Sequence, residues 1–186
     1  MSDLKTLVWC RICGGEFSNE TLLLKDSPLA NELASNRIEA LKAEKFPLQV
    51  VMCSSCKHFQ LKHIVSPDRL FSNYIYKSGT SSFFREHFKS FAKVIHDTKA
   101  GHQLRVFEIG SNDGILLDEL KSLGINCVGL EPSHELVKEC LEKGLDVIHG
   151  FLTKDLVSQL NKSRGVFDIV VGNNVFAHID DLLEAF

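Results

Sequence analysis

The sequence predicts an α/β protein in two parts: a small, loop-rich lobe held by a metal, then a parallel, doubly wound sheet of about four strands. Three observations predict it. Four of the cysteines fall in two close pairs, Cys10/Cys13 and Cys53/Cys56. After residue 103, strand-like and helix-like segments alternate. The first of those strands runs into a turn bracketed by glycines, Gly110-Ser111-Asn112-Asp113-Gly114.

Residues 1–65 make up the lobe. Tetrahedral zinc takes ligands that converge on one point, and a Cys-x-x-Cys turn presents two thiolates from a single knuckle. Cys10, Cys13, Cys53 and Cys56 are therefore the expected ligands of one structural Zn2+, with no open position left for catalysis. Gly14 and Gly15 suit the turn after the first knuckle. The 39 residues between the pairs exceed the usual zinc-ribbon gap, so a short helix within PLANELAS (28–35) and a strand over FPLQVVMC (46–53) are expected to fill it. A lobe this small buries little apolar surface, and metal binding supplies folding free energy that its core lacks. Cys127 and Cys140 stand alone and read as buried thiols.

Residues 66–103 read as a helical connector. Phe84, His87, Phe88, Phe91, Ala92 and Ile95 recur at helical spacing, which predicts an amphipathic helix ending near Gly101 and packed on the region C-terminal to it.

Residues 104–186 carry strands over 104–110, 125–131, 145–150 and 166–172, separated by helices over 114–123, 134–143 and 154–161. Short apolar strands joined by helical crossovers imply parallel pairing. The last segment keeps helical spacing at Ile179, Leu182, Leu183 and Phe186 without a closing Gly, Asn or Pro. The expectation is a sheet incomplete at its C-terminal side, in a fragment of a longer enzyme.

Charge and hydropathy narrow the partners. The formal net charge is -3 and the Lys and Arg residues are scattered, so no basic stripe exists to neutralise a duplex, and nucleic acid is not expected. No apolar run is long enough to span a membrane and no signal-peptide core is visible; a cytoplasmic location is expected. The sequence does not specify an oligomeric state.

The glycine turn is the richest segment. A glycine there lets backbone pass close to a ligand, and the helix after it offers unpaired N–H groups to an anionic end. A nicotinamide dinucleotide fingerprint, Gly-x-Gly-x-x-Gly, would need glycine where Asn112 stands. The turn is instead similar to the acidic-x-Gly-x-x-x-Gly pattern of class I S-adenosylmethionine (SAM) methyltransferases, with Glu108 near the charged methionine end. Glu131 closes the next strand about 20 residues on, where doubly wound folds place a carboxylate for ribose hydroxyls. Asn173 and His178, in GNNVFAH, fall at the mouth of the same crevice. The expected cofactor-binding set is Glu108, Gly110, Ser111, Asn112, Gly114, Glu131 and Asn173.

Taken in order, WCRICGG, SPLAN, FPLQVVMCSSCKHFQL, LFSNYIYKSGTSS, FEIGSNDG, GLEPS and NNVFAHIDD resemble the sugar C-methyltransferases that act on nucleotide-linked deoxysugars. The resemblance covers nearly the whole chain. It implies an N-terminal zinc-binding domain and a class I SAM domain with a Rossmann-like sheet, truncated here after about four strands and lacking the C-terminal domain that completes the sugar site. It also implies methylation at C3 of a 4-keto sugar through an enolate. By the same resemblance, Glu108, Gly110 and Glu131 bind SAM, and Tyr74, Tyr76, Ser78 and His178 lie toward a nucleotide-sugar substrate, with His178 and Tyr76 as the catalytic candidates present. A second reading stays open at this level: a zinc-containing module for nucleic acid or protein, with an α/β scaffold that holds a ligand without catalysis.

Overall fold

The computed structural model describes residues 3–98 and 103–186. Contacts divide the chain into one unit up to Phe71, which also takes in Asp180–Glu184, and a second over Ser72–Ile179.

The first unit runs β1 (Leu4–Thr6), β2 (Phe17–Ser27), α1 (Arg37–Lys42), β3 (Phe46–Cys53), β4 (Phe59–Leu61), β5 (His63–Val65) and α2 (Pro67–Phe71). β1 pairs with β5, and β2, β3 and β4 form a three-stranded antiparallel sheet in that order. Val51, Cys53 and Gln60 are buried. The expected strand over 46–53 is present, and its last residue is a cysteine of the second pair. The expected helix within 28–35 is not. Asn36 accepts hydrogen bonds from the N–H groups of Ile38 and Glu39 at 3.0 Å each, so the cap starts the helix at Arg37. Glu32, inside the expected helix, is instead held by the Arg69 guanidinium, which also pairs with Asp3 and Glu44 and lies over the Phe46 ring.

The second unit runs α3 (Ser82–Asp97), β6 (Arg105–Ile109), α4 (Ile115–Ser122), β7 (Asn126–Glu131), α5 (His134–Glu142), β8 (Val147–His149), α6 (Lys154–Arg164) and β9 (Ile169–Gly172). The chain then makes a 3-10 turn over Phe176–His178 and a short α7 (Leu182–Ala185). Four parallel strands take the order β8-β7-β6-β9. Strand alternation sends Val106 to one face, against Phe88, Ala92 and Ile95 of α3 and Leu116 and Leu120 of α4. It sends Phe107 and Ile109 to the other, against Leu160 of α6. Helices therefore cover both faces, as the near-continuous apolar strands require.

The connector helix is present and buries Phe88, Ala92 and Ile95, with Phe84 and Phe91 half-buried and His87 exposed; the expected end near Gly101 lies outside the described residues. The terminal helix is shorter than its apolar spacing suggests. Asp181 accepts from the Glu184 N–H and fixes the start at Leu182, leaving Ile179 outside it.

Winding turns over at β6: β7 and β8 extend to one side and β9 to the other. In open α/β sheets a ligand binds outside the carboxyl ends of the strands at such a switch point. Glu108 and Gly110 stand at that end of β6, and Glu131 at that end of β7. Among the described residues, no helix is long and apolar enough to cross a membrane.

Candidate functional site

At the end of β6 the chain turns through Gly110 (φ 67°), Asn112 (φ 52°) and Gly114 (φ 75°) before entering α4. Side chains at Gly110 or Gly114 would collide with Val175 and with Leu145 and Cys140, so the turn has both a conformational and a steric need for glycine. Gly129, opposite Glu108 in β7, has the same role from below: a Cβ there would sit 2.6 Å from Ser111 Oγ. Sequence reasoning missed Gly129, because a glycine inside a strand carries no marker of what approaches it.

Two carboxylates are buried at this turn. Glu131, 4% exposed, accepts from the Asn112 N–H at 2.8 Å through one oxygen and from the Ser133 N–H at 2.9 Å through the other. It thereby ties the β6–α4 turn to the β7–α5 turn, a buried structural part that its expected ribose role does not include. Burial raises its pKa, and the two N–H donors pull the other way. Glu108 is 3% exposed; Asn173 Nδ2 approaches its Oε1 at 3.5 Å, and its Oε2 has no partner among the described residues. Burial pushes Glu108 up to about 8, and the neighbouring charges of Asp113 and Glu131 add to the rise. Ser111 Oγ and Asp113 Oδ1 are likewise buried without a partner. Native structures rarely leave such groups unmatched, and a buried carboxylate beside two others is best matched by a cation carrying hydrogen-bond donors. The α-ammonium of an amino-acid ligand has that chemistry.

The structure brings Glu108, Gly110, Ser111, Asn112, Gly114, Glu131 and Asn173 to one end of the sheet. It also brings two of the expected substrate residues there by their backbone: the Tyr76 carbonyl accepts from Asn112 Nδ2, and the Ser78 N–H donates to Asn112 Oδ1, each at 2.9 Å. Tyr74 and Tyr76 face each other edge to face with ring centroids 6.3 Å apart. His178 closes the 3-10 turn after β9 and is exposed.

In the first unit, the Sγ atoms of Cys10, Cys13, Cys53 and Cys56 all lie within 4.8 Å of one another. Cys10 and Cys56 are 3.6 Å apart and Cys13 and Cys53 3.4 Å; ligands at about 2.3 Å from a tetrahedral zinc are about 3.8 Å apart. The knuckles repeat one geometry. In each, the residue after the second cysteine has positive φ, Gly14 at 68° and Lys57 at 63°, and donates its N–H to the carbonyl of the first cysteine. The Arg11 N–H donates to the buried Gln60 side chain at 2.9 Å, anchoring the first knuckle to β4. The Cys56 backbone N–H, seconded by that of Ser55, draws the Cys53 thiol down to about 6. Cys56 goes the other way, to about 12: the His58 backbone favours its thiolate but is outweighed by burial and by the other three sulfurs. Four thiols this close cannot all ionise alone, and a divalent cation resolves the conflict. The site fits zinc.

Sheet order, glycine turn and paired carboxylates define a Rossmann-like α/β domain, preceded in the sequence by a four-cysteine lobe. Residues 85–181, more than half of the chain, match the family model described as "Methionine biosynthesis protein MetW", and the chain belongs to that family. Residues 10–71 match the model described as "Putative zinc binding domain". Among curated proteins, C-methyltransferase NovU of Streptomyces niveus is 28% identical over 176 residues. That match takes in 94% of this chain, which spans 42% of the relative's length. Among solved structures, a SAM dependent methyltransferase from Archaeoglobus fulgidus is 22% identical, covering 50% of this chain and 44% of that one, with a TM-score of 0.37. Magnesium protoporphyrin IX methyltransferase of Synechocystis PCC 6803, with bound SAH, is 18% identical, covering 53% and 49%, with a TM-score of 0.39.

Metal analysis of protein purified without chelator is expected to give one zinc per chain. Cys53→Ser should release it and unfold the first unit; full zinc retention in that variant would contradict the ligand set. A second expectation concerns Glu108. Its folded pKa lies above its unfolded value, so the folded state holds the extra proton and stability falls as pH rises from about 4.5 to about 8. Glu108→Gln should flatten the stability difference between pH 5 and pH 8 in denaturant titrations of the ligand-free protein. An unchanged pH slope in that variant would show that Glu108 ionises without cost.

Proposed function

We propose that this chain binds SAM at the carboxyl ends of β6 and β7 and serves methyl transfer to carbon in a nucleotide-linked 4-keto deoxysugar. The observation that carries the cofactor half is Glu108: a carboxylate buried at the topological switch point, with one oxygen unmatched and its pKa driven up by burial. An ammonium group supplies what it lacks. Glu131 uses one hydrogen bond on each oxygen for the turns, and a carboxylate accepts about four, so capacity remains for the ribose hydroxyls. Gly110, Ser111 and Gly114 shape the turn around the ligand, and Asn173 approaches Glu108 from β9's end.

When bound, SAM supplies a methyl group on a sulfonium sulfur. The chain's own residues bind and orient it. The carbon acceptor and sugar class rest on two supports: the sequence resemblance, and the match across both units to a protein named as a C-methyltransferase. The family model over residues 85–181 covers most of the second unit and none of the cysteine cluster. A 4-keto group acidifies the adjacent carbon, and a base with an oriented acceptor completes the reaction. Tyr74, Tyr76 and Ser78 belong on the acceptor side in this reading, with His178 assisting and Tyr76 the other catalytic candidate. Four ligand thiols suit a reducing cytoplasm.

Calorimetry is expected to show SAM binding at one site per chain; no binding by folded protein would remove the cofactor assignment. Glu131→Ala should weaken that binding by about 1.5–3 kcal/mol and also lower the Tm of the ligand-free protein, because the Asn112 and Ser133 N–H groups lose their acceptor. A loss of affinity with no loss of Tm would deny the structural half of its role. The acceptor is tested by incubating the intact protein with SAM and a 4-keto deoxysugar nucleotide and following S-adenosylhomocysteine. Release that depends on the sugar nucleotide is expected; equal release without it would place the acceptor elsewhere.

A further inference from the structure

Asn112 spends its side chain on the protein. Its amide oxygen accepts from the Ser78 N–H and its amide nitrogen donates to the Tyr76 carbonyl, each at 2.9 Å. That is the pairing a neighbouring strand would offer to residues 76 and 78, made here by one side chain. Its backbone is committed as well: the N–H donates to Glu131, and the carbonyl accepts from Cys140 Sγ at 3.4 Å. The next residue repeats the device, Asp113 Oδ2 accepting from the Gly79 N–H at 2.9 Å. A Cβ at Gly79 would meet that oxygen at 2.6 Å, so a larger residue there would push the Asp113 carboxylate aside. Lys77, between the two contacts, pairs with Glu139 of α5 at 2.5 Å. Residues 76–79 are thus strapped to the cofactor turn and to the helix after β7, although no regular strand or long helix holds them.

We propose that Asn112 is a positioning residue, which couples the order of the Tyr76–Gly79 strap to occupancy of the cofactor turn. The inference rests on the SAM reading above and goes beyond it. Asn112 and Glu131 share one hydrogen bond, so a ligand that fixes Glu131 fixes the Asn112 backbone, and with it the amide that holds the strap. By reciprocity, loosening the strap weakens the ligand. Tyr76 rides on this strap, so the acceptor side would be built when the cofactor arrives.

The test is amide hydrogen exchange on the full chain, with and without S-adenosylhomocysteine, together with calorimetric affinity. Asn112→Gly keeps the positive φ without strain and removes both side-chain bonds. Exchange over 76–79 should quicken roughly tenfold, as expected for loss of two ordinary hydrogen bonds, while the peptides of β6 and β7 stay protected. Ligand should slow exchange over 76–79 in the natural protein and not in Asn112→Gly, which should bind it several-fold more weakly. Asn112→Asp keeps the acceptor for Ser78 and should restore part of the protection. Gly79→Ala, whose Cβ would meet Asp113 of the cofactor turn, should likewise displace the strap and weaken binding. Unchanged exchange over 76–79 in Asn112→Gly would overturn the clamp. Ligand binding that protects β6 and β7 but leaves 76–79 unchanged would overturn the coupling alone, whereas failure of the natural protein to bind ligand is failure of the cofactor reading.

Discussion

A carboxylate taken out of water must find donors, a counter-charge or a proton, and the second unit is arranged around two that answer this differently. Glu131 is satisfied by the backbone of the two turns it joins. Glu108, one strand over, has one oxygen without a partner among the described residues, and burial pushes its pKa up to about 8. The parallel sheet makes the contrast possible: neighbouring strands in register bring both carboxyl ends to the same rim, where the helices begin. The satisfied carboxylate ties the two turns together, and the unsatisfied one leaves a buried oxygen that a cation would match.

The first unit meets the same constraint with sulfur. Its sheet buries few large side chains, and Cys10 and Cys53 are among its most buried residues. Four thiols drawn within 4.8 Å can share protons or share a metal, and only the metal returns folding free energy to a core that small. Both units therefore gather ionisable groups, several of them buried, that a positive ligand would complete.

Much of this was legible in the sequence, for identifiable reasons. The alternation after residue 103 has clean periods, so its strands and helices fall where the apolar positions put them, and Glu108, Gly110 and Glu131 lie at strand ends because the strands do. The cysteine spacing specified the cluster. What stayed hidden depends on backbone partners or on runs without a period. Leu22, Leu23 and Leu24 alternate with nothing, and the eleven-residue β2 that contains them was not foreseen. The helix expected within 28–35 lost to the Asn36 cap one residue beyond it. Lys57 adopts the positive φ that Gly14 advertises in the other knuckle, with no glycine to signal it. Asn112 read as a ligand contact, because the groups its side chain serves are main-chain atoms 34 and 36 residues away that leave no trace in composition. Glu131 read as an open ligand carboxylate for the same reason.

The central claim is that Glu108 is a buried carboxylate awaiting a cation. Carbon-13 NMR of the glutamate carboxyl groups, assigned with Glu108→Gln and titrated with and without SAM, measures it directly. The account predicts that Glu108 titrates near pH 8 in the free protein and falls into the ordinary carboxylate range when SAM is bound. A carboxyl that titrates in the ordinary range without ligand, or one whose titration SAM leaves in place, would contradict it.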